Sequence, residues 1–162
     1  MLTKKVEEIC NRQIEREGYS SNLYLAMASW AETKGMAGIA GWLYAQAEEE
    51  RVHMLKFIRY VNERGASAVV PEFKKPPVKY KGIPELFAEV LKHEKFITSS
   101  ISEVLEAAAA EKDHATANWI QWFVKEQVEE ETSVQLIIDK ISLAGEQGIY
   151  FLDRDIMMLR GK

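Results

Sequence analysis

The sequence predicts an all-α protein: a four-helix bundle with one long crossover and a short fifth helix at its C-terminal end. Three observations predict it. Apolar residues recur at three- and four-residue spacing through four long stretches, the period of a helix face turned toward a core. Three of the four prolines and most glycines fall between those stretches, where chain reversals need them. One connection, residues 65–83, is far longer than the rest.

The first helix, about residues 2–33, is rich in Glu, Leu, Ala, Met and Arg, and stops at Lys34-Gly35, a favoured helix end. The second runs from about 36 to 64 and stops at Gly65. Pro84 suits the first turn of a third helix reaching about residue 111. Asp113 is an N-cap for the fourth, which continues to about residue 144. After Gly145 comes an amphipathic piece, residues 147–159, carrying Ile149, Leu152, Ile156 and Leu159. Such a short helix is marginal alone and needs a surface to cover its apolar side.

Connection lengths set the topology. The turns near Lys34-Gly35 and Lys112-Asp113 are tight, so helices one and two form an antiparallel hairpin, as do three and four. A helix of roughly 28 residues is about 42 Å long. The 65–83 segment reaches about 63 Å when extended, so it can cross the whole bundle and start the second hairpin at the same end as the first.

Bulk composition bounds the function. A chain of 162 residues suits one domain, 1–162, and 47% hydrophobic with 28% charged residues is ordinary for a soluble globular protein. A net charge of −4 gives no support for nucleic-acid binding. No apolar run has the length of a membrane span, and the N-terminus does not read as a signal peptide. The single cysteine, Cys10, fits a reducing compartment, so cytoplasmic residence is expected.

The informative feature is where acids fall within the apolar seams. The inward set on helix one reads Val6, Cys10, Gln13, Glu17, Ser20, Tyr24, Met27, Ala31; on helix two, Leu43, Ala47, Glu50, Met54, Phe57, Val61. Helix three gives Phe87, Val90, Glu94, Ile97, Ile101, Val104, and helix four Ile120, Phe123, Gln127, Glu130, Val134, Ile137, Ile141. Each stripe contains a glutamate at a core position. Their depths also agree: Glu17 lies 17 residues before position 34 and Glu50 lies 16 after it, while Glu94 and Glu130 each lie 18 from position 112. Four carboxylates at one height repel one another and cost several kcal/mol unless protonated or neutralised by cations. His53, one turn from Glu50, completes a Glu-x-x-His pair. Oxygen ligands with a single imidazole favour iron or manganese over structural zinc.

Blander readings weigh against some positions. Glu-x-x-His alone is a short motif, and Glu126-Gln127-Val128-Glu129-Glu130-Glu131 could be a charged surface face. Glu49 beside Glu50 and Glu129 beside Glu130 suggest a third cation position next to the core pair. Tyr24, two turns beyond Glu17, is either a core tyrosine with a bonded hydroxyl or a neighbour of the metals. His93 is expected to face outward, His114 marks a helix start, and Trp30, Trp42, Trp119 and Trp122 read as packing residues. Gly35, Gly38 and Gly41 are spaced for close helix packing.

These residues resemble the bacterial non-haem ferritins, a ferritin-like di-iron carboxylate family. The resemblance covers nearly the whole chain: Glu17, Glu49-Glu50-Arg51-Val52-His53, His93-Glu94, the Glu126–Glu131 run, Ile138-Asp139-Lys140 and Tyr150-Phe151-Leu152-Asp153. It implies that Glu17, Glu50 and His53 hold one iron, and that Glu50, Glu94 and Glu130 hold a second beside Gln127. It also implies a third iron on the inner side, at Glu49, Glu126 and Glu129 with Glu130 shared. Bacterioferritins, the haem-binding branch, carry a second Glu-x-x-His where this chain has Gln127-x-x-Glu130, and a haem-ligating Met where it has Arg51, so no haem is expected. Ala117 and Ile120 stand at the positions of the channel acids of animal ferritins, so that route for iron is not carried over.

The function the resemblance implies is iron storage with ferroxidase activity. Fe(II) is oxidised by dioxygen or peroxide and deposited as an Fe(III) oxo-hydroxide mineral inside a hollow shell of 24 subunits. The alternatives are a di-iron oxidase or peroxidase of the rubrerythrin kind that stores nothing, disfavoured by the lack of Cys-x-x-Cys pairs, and a metal-free helical scaffold.

Overall fold

A computed structural model describes residues 1–160, with Glu146 described by its backbone alone. Helix α1 spans Lys4–Thr33, α2 Ala37–Glu63, α3 Ile83–Ala110, α4 His114–Trp119 and α5 Gln121–Asp155, and a 3-10 turn follows at Ile156–Leu159. There is no strand among the described residues, and no helix is long and apolar enough to cross a membrane.

Local chemistry sets these limits. Thr3 caps α1 by accepting from the Val6 amide, and Asp113 caps α4 by accepting from the Thr116 amide. Gly35 ends the first hairpin at φ 75°, a left-handed conformation that costs glycine nothing; there the amide of Met36 bonds back to the Ala31 carbonyl. The second hairpin makes the same reversal with Lys112 at φ 54°, its Asp113 amide reaching the Ala108 carbonyl at 2.8 Å.

The two hairpins pack as a four-helix bundle with one long crossover. α1 lies against α2 and α3, and α5 against α3 and α2. The crossover is pinned partway by Phe73, whose ring fills the space over Gly18 beside Met54. Of the inward residues named from sequence, all are buried except Met54, which is half-buried.

The structure departs from the sequence reading in two places. The expected single helix over 113–144 is interrupted at Ile120, which stays near helical geometry (φ −68°, ψ −18°), so α4 and α5 are nearly continuous. Gly145, at φ 63° and ψ −172°, kinks α5; the part beyond it is the short C-terminal helix, which ends at Asp155 and tightens into the 3-10 turn.

That C-terminal piece finds its surface on its own chain. Leu152 and Ile156 are buried, with Ile149 and Leu159 packed against the same cluster as Trp42 and Phe87. The Asp153 carboxylate accepts from the Ile39 amide at 2.8 Å, at the N-terminal end of α2 where a negative charge is favoured.

The apolar core is split in two. One cluster runs from Leu23 through Trp42 and Phe87 to Ile141; the other holds Val6, Ile14, Phe57, Ile101 and Phe123. Between them lies a polar layer.

Candidate metal centre

Glu17, Glu50, His53, Glu94, Gln127 and Glu130 all lie in that layer, and none is more than 7% exposed, which excludes a solvated-acid reading. α1 supplies Glu17, α2 supplies Glu50 and His53, α3 supplies Glu94, and α5 supplies Gln127 and Glu130. Ligand atoms of Glu17, Glu50 and His53 lie within 4.8 Å of one another. His53 Nδ1 stands 3.4 Å from Glu50 Oε2 and 4.0 Å from Glu17 Oε2. Glu17 Oε2 has no hydrogen-bond partner, although such an atom is costly to bury unpaired.

Neutral donors hold Glu94, Glu130 and the other oxygen of Glu17. Tyr24 donates its hydroxyl to Glu94 Oε1, and the Gln127 amide donates to Glu94 Oε2 at 3.1 Å. Gln46 donates to Glu130 Oε2 at 2.8 Å, and Gln13 donates to Glu17 Oε1 at 2.7 Å. Amides fix the direction of an oxygen without neutralising its charge, so the layer keeps its affinity for cations.

Electrostatics give the layer its tension. Burial, then the charge of Glu50, pushes Glu17 well above the ordinary carboxylate range. Burial and the charges of Glu94 and Glu130 do the same to Glu50. Glu94 is raised by burial, against the pull of its Tyr24 and Gln127 bonds. Glu130 is pushed up to about 8 by burial, then Glu94 and Glu49.

These shifts predict a pH dependence. Between the ordinary value of 4.5 and about 8, the unfolded chain has released protons that the folded layer retains. Stability therefore falls as pH rises through that window, Glu130 alone contributing roughly 4 kcal/mol. The metal-free protein should melt lower at pH 8 than at pH 5. Saturating Zn(II) should reverse the trend, because a cation takes the protons' place. Scanning calorimetry at both pH values checks this; a metal-free melting temperature that rises from pH 5 to 8 contradicts it.

A second acidic group opens from the first. Ligand atoms of Glu49, His53 and Glu126 also lie within 4.8 Å of one another. Glu49, Glu126, Glu129 and Glu130 line one pocket of about 140 Å³ with Gln46 and Trp42, whose indole N–H is buried without a partner. Glu129 lines this pocket but is exposed and pairs with Lys125 at 3.9 Å.

Some readings need correction. His93 does not face outward: it is half-buried, with Nε2 2.7 Å from the Ser20 hydroxyl, and burial lowers it to about 4. Trp122 is more than packing, because its ring stands edge-on to His53 at 5.5 Å and carries the Lys56 ammonium 3.0 Å from its centroid. Gln13 was placed on the inward stripe without a role, and Gln46 was missed. The available signal was an amide one turn before a buried glutamate on each of the first two helices.

Gln13→Leu tests the amide bond directly. Losing the donor leaves both Glu17 oxygens unpaired and free to turn away. Zn(II) affinity at Glu17 should weaken by about 10–100-fold, the usual penalty for removing a ligand's outer partner, as read by competition with a chelating dye. Unchanged affinity would show that packing alone orients Glu17.

Comparison with known proteins agrees with this geometry. Residues 7–144 match the ferritin-like domain family. The chain is 40% identical to a probable bacterial non-haem ferritin-like protein of Haemophilus influenzae, over all of this chain and 99% of that one. It is also 40% identical to a bacterial non-haem ferritin of Campylobacter jejuni, over 96% and 95%. An open-pore ferritin of the archaeon Archaeoglobus fulgidus superposes with a TM-score of 0.95 at 39% identity, covering 99% of this chain and 100% of that one. With Glu17, Glu50, Glu94 and Glu130 buried at one level between four such helices, the chain belongs to the ferritin family, with its curated relatives among the bacterial non-haem ferritins.

Proposed function

We propose that the protein stores iron and oxidises it on the way in, acting as a ferroxidase. The observation that carries this reading is the buried cluster of Glu17, Glu50 and His53 with Glu94 and Glu130 alongside, an anionic layer that a pair of cations would neutralise. Glu17, Glu50 and His53 would take one Fe(II); Glu50, Glu94 and Glu130 would take the second, with Gln127 and Tyr24 orienting Glu94. Each Fe(II) gives one electron, so two of them with two protons reduce dioxygen to hydrogen peroxide, or peroxide to two waters. Hard carboxylates favour the Fe(III) product over Fe(II). Glu49, Glu126 and Glu129 with Glu130 form a third cation position facing the product's side. Arg51 and Gln127 weigh against haem.

The ferritin relatives and structural neighbours support assembly into a hollow shell, 24 subunits by family resemblance. Exposed Leu143, Tyr150, Phe151 and Met158 form an apolar surface near the C-terminal helix that further copies would cover. The single free cysteine is in keeping with a cytoplasmic site of action.

Aerobic addition of Fe(II) followed by size exclusion tests the whole reading. Soluble brown iron should co-elute with a large shell. Precipitated iron, or iron travelling with a small oligomer, would overturn storage.

A further inference from the structure

Arg160 directly follows the Ile156–Leu159 turn, yet its guanidinium lies at the inner acid pocket. Nη2 donates to Glu49 Oε2 at 2.7 Å and Nη1 to the Trp42 carbonyl at 3.3 Å. It is the only basic side chain among the described residues that line this pocket. Its placement is not that of a free surface arginine. Ile156 is buried, Leu159 packs on the core, and Asp153 is bonded to the Ile39 amide, so a docked turn delivers the guanidinium. Arg160 and Glu49 side chains are 23% and 36% exposed, a pair partly removed from water.

Glu49 thus has two competing partners. The carboxylate held by Arg160 is the one whose oxygens approach His53 and Glu126 closely enough to share a cation. A carboxylate that accepts from the Arg160 guanidinium has less charge to offer a metal, and two positive charges at close range repel in a half-desolvated pocket.

We infer that Arg160 is a tethered cation that occupies Glu49 until a divalent ion displaces it. The inference rests on the proposed metal-binding role of these acids and adds a regulator to it. Arg160 neutralises Glu49 while the pocket is empty and lowers the pocket's apparent affinity by the fraction of time it is bound. With His53 committed to the core pair, a third ion at Glu49 and Glu126 then releases Arg160 from Glu49 and loosens the end of the 156–159 turn. Ions at Glu17, Glu50, Glu94 and Glu130 do not compete with it, so the core pair fills first and the inner position last.

Zn(II), which cannot be oxidised, is the probe, titrated calorimetrically into the assembled protein. Wild type, Arg160→Lys and Arg160→Gln should bind two ions per chain with equal affinity. The third ion should bind about five-fold tighter in Arg160→Gln, the scale of a partly exposed ion pair, with Arg160→Lys between. Amide exchange gives a readout on wild type alone: protection over residues 156–160 should drop when the third ion binds and not when the first two do. Equal third-ion affinity in wild type and Arg160→Gln, no third ion at all, or tail protection indifferent to the third ion would each overturn the inference while leaving the core pair standing. Failure of wild type to bind even two ions would instead overturn the metal-centre reading and this inference with it.

Discussion

Replacing Glu50 with glutamine should abolish rapid Fe(II) oxidation and, in the same stroke, make the metal-free protein more stable. Glu50 is the one carboxylate adjoining both halves of the layer: its oxygen is 3.4 Å from His53, and its charge acts on Glu17 while feeling Glu94 and Glu130. Glutamine keeps the shape but offers a weak neutral oxygen and cannot bridge two cations. Oxidation should slow by more than ~100-fold, above the range seen for removing outer partners of a metal ligand. Stopped-flow absorbance of Fe(III) formation reads this.

The stability change runs the other way because, without metal, folding at pH 8 must hold a proton on Glu50 that the unfolded chain has released, a cost glutamine does not carry. Removing that carboxyl relieves repulsion on Glu17, Glu94 and Glu130. Replacing buried ionic groups by neutral ones of similar volume is commonly neutral or stabilising by 1–4 kcal/mol. The metal-free Glu50→Gln protein should therefore melt higher at pH 8, and added Zn(II) should raise its melting temperature less than it raises wild type. Glu50→Ala should also lose oxidation, but a cavity would offset part of its gain in stability. Wild-type oxidation rates in either variant would refute the bridging role. A lower melting temperature in metal-free Glu50→Gln would show that the Glu50 carboxyl makes contacts in the layer that glutamine cannot replace.

The acid layer was legible because helices add equal rise per residue and both hairpin turns are short. Counting from a turn is then a measurement of depth, and it places Glu17, Glu50, Glu94 and Glu130 level with one another. His93 was misread for a related reason. Its facing was judged from Glu94, one residue and about 100° away, but the α1–α3 contact is wide enough to cover two adjacent positions. Local pattern carries no information about partners far along the chain. Arg160 meets Glu49 across 111 residues and Asp153 meets Ile39 across 114, and neither pairing leaves a mark in periodicity. The interruption at Ile120 is equally silent, since its dihedrals differ little from a helix.

Gly38→Ala should undock the C-terminal helix and cost the protein its large assembly. The glycines at 35, 38 and 41 were read as sites of close packing, and the structure divides them. Gly35 serves the turn and has nothing near it. A methyl on Gly41 would meet Met157 Sδ at 3.8 Å, an ordinary contact. A methyl on Gly38 would lie 1.7 Å from the Asp153 carbonyl oxygen and 2.8 Å from its carbon. Those are backbone atoms of a helix, which cannot swing aside as a side-chain tip can. The segment must move away, and the bond from the Ile39 amide to the Asp153 carboxylate goes with it. Overpacking and a lost helix-end contact together cost about 2–4 kcal/mol. Leu152 and Ile156 would lose their seat against the bundle, so the apolar C-terminal surface could no longer be presented to other copies in one orientation. Sedimentation velocity should show a small species for Gly38→Ala and the full assembly for Gly41→Ala. Both variants should still bind Zn(II) at Glu17, Glu50 and His53, because α1 and α2 supply those three residues away from the C-terminal helix. A full-sized Gly38→Ala assembly with unchanged melting would mean that the C-terminal helix is held by its neighbours in the shell rather than by its own α2.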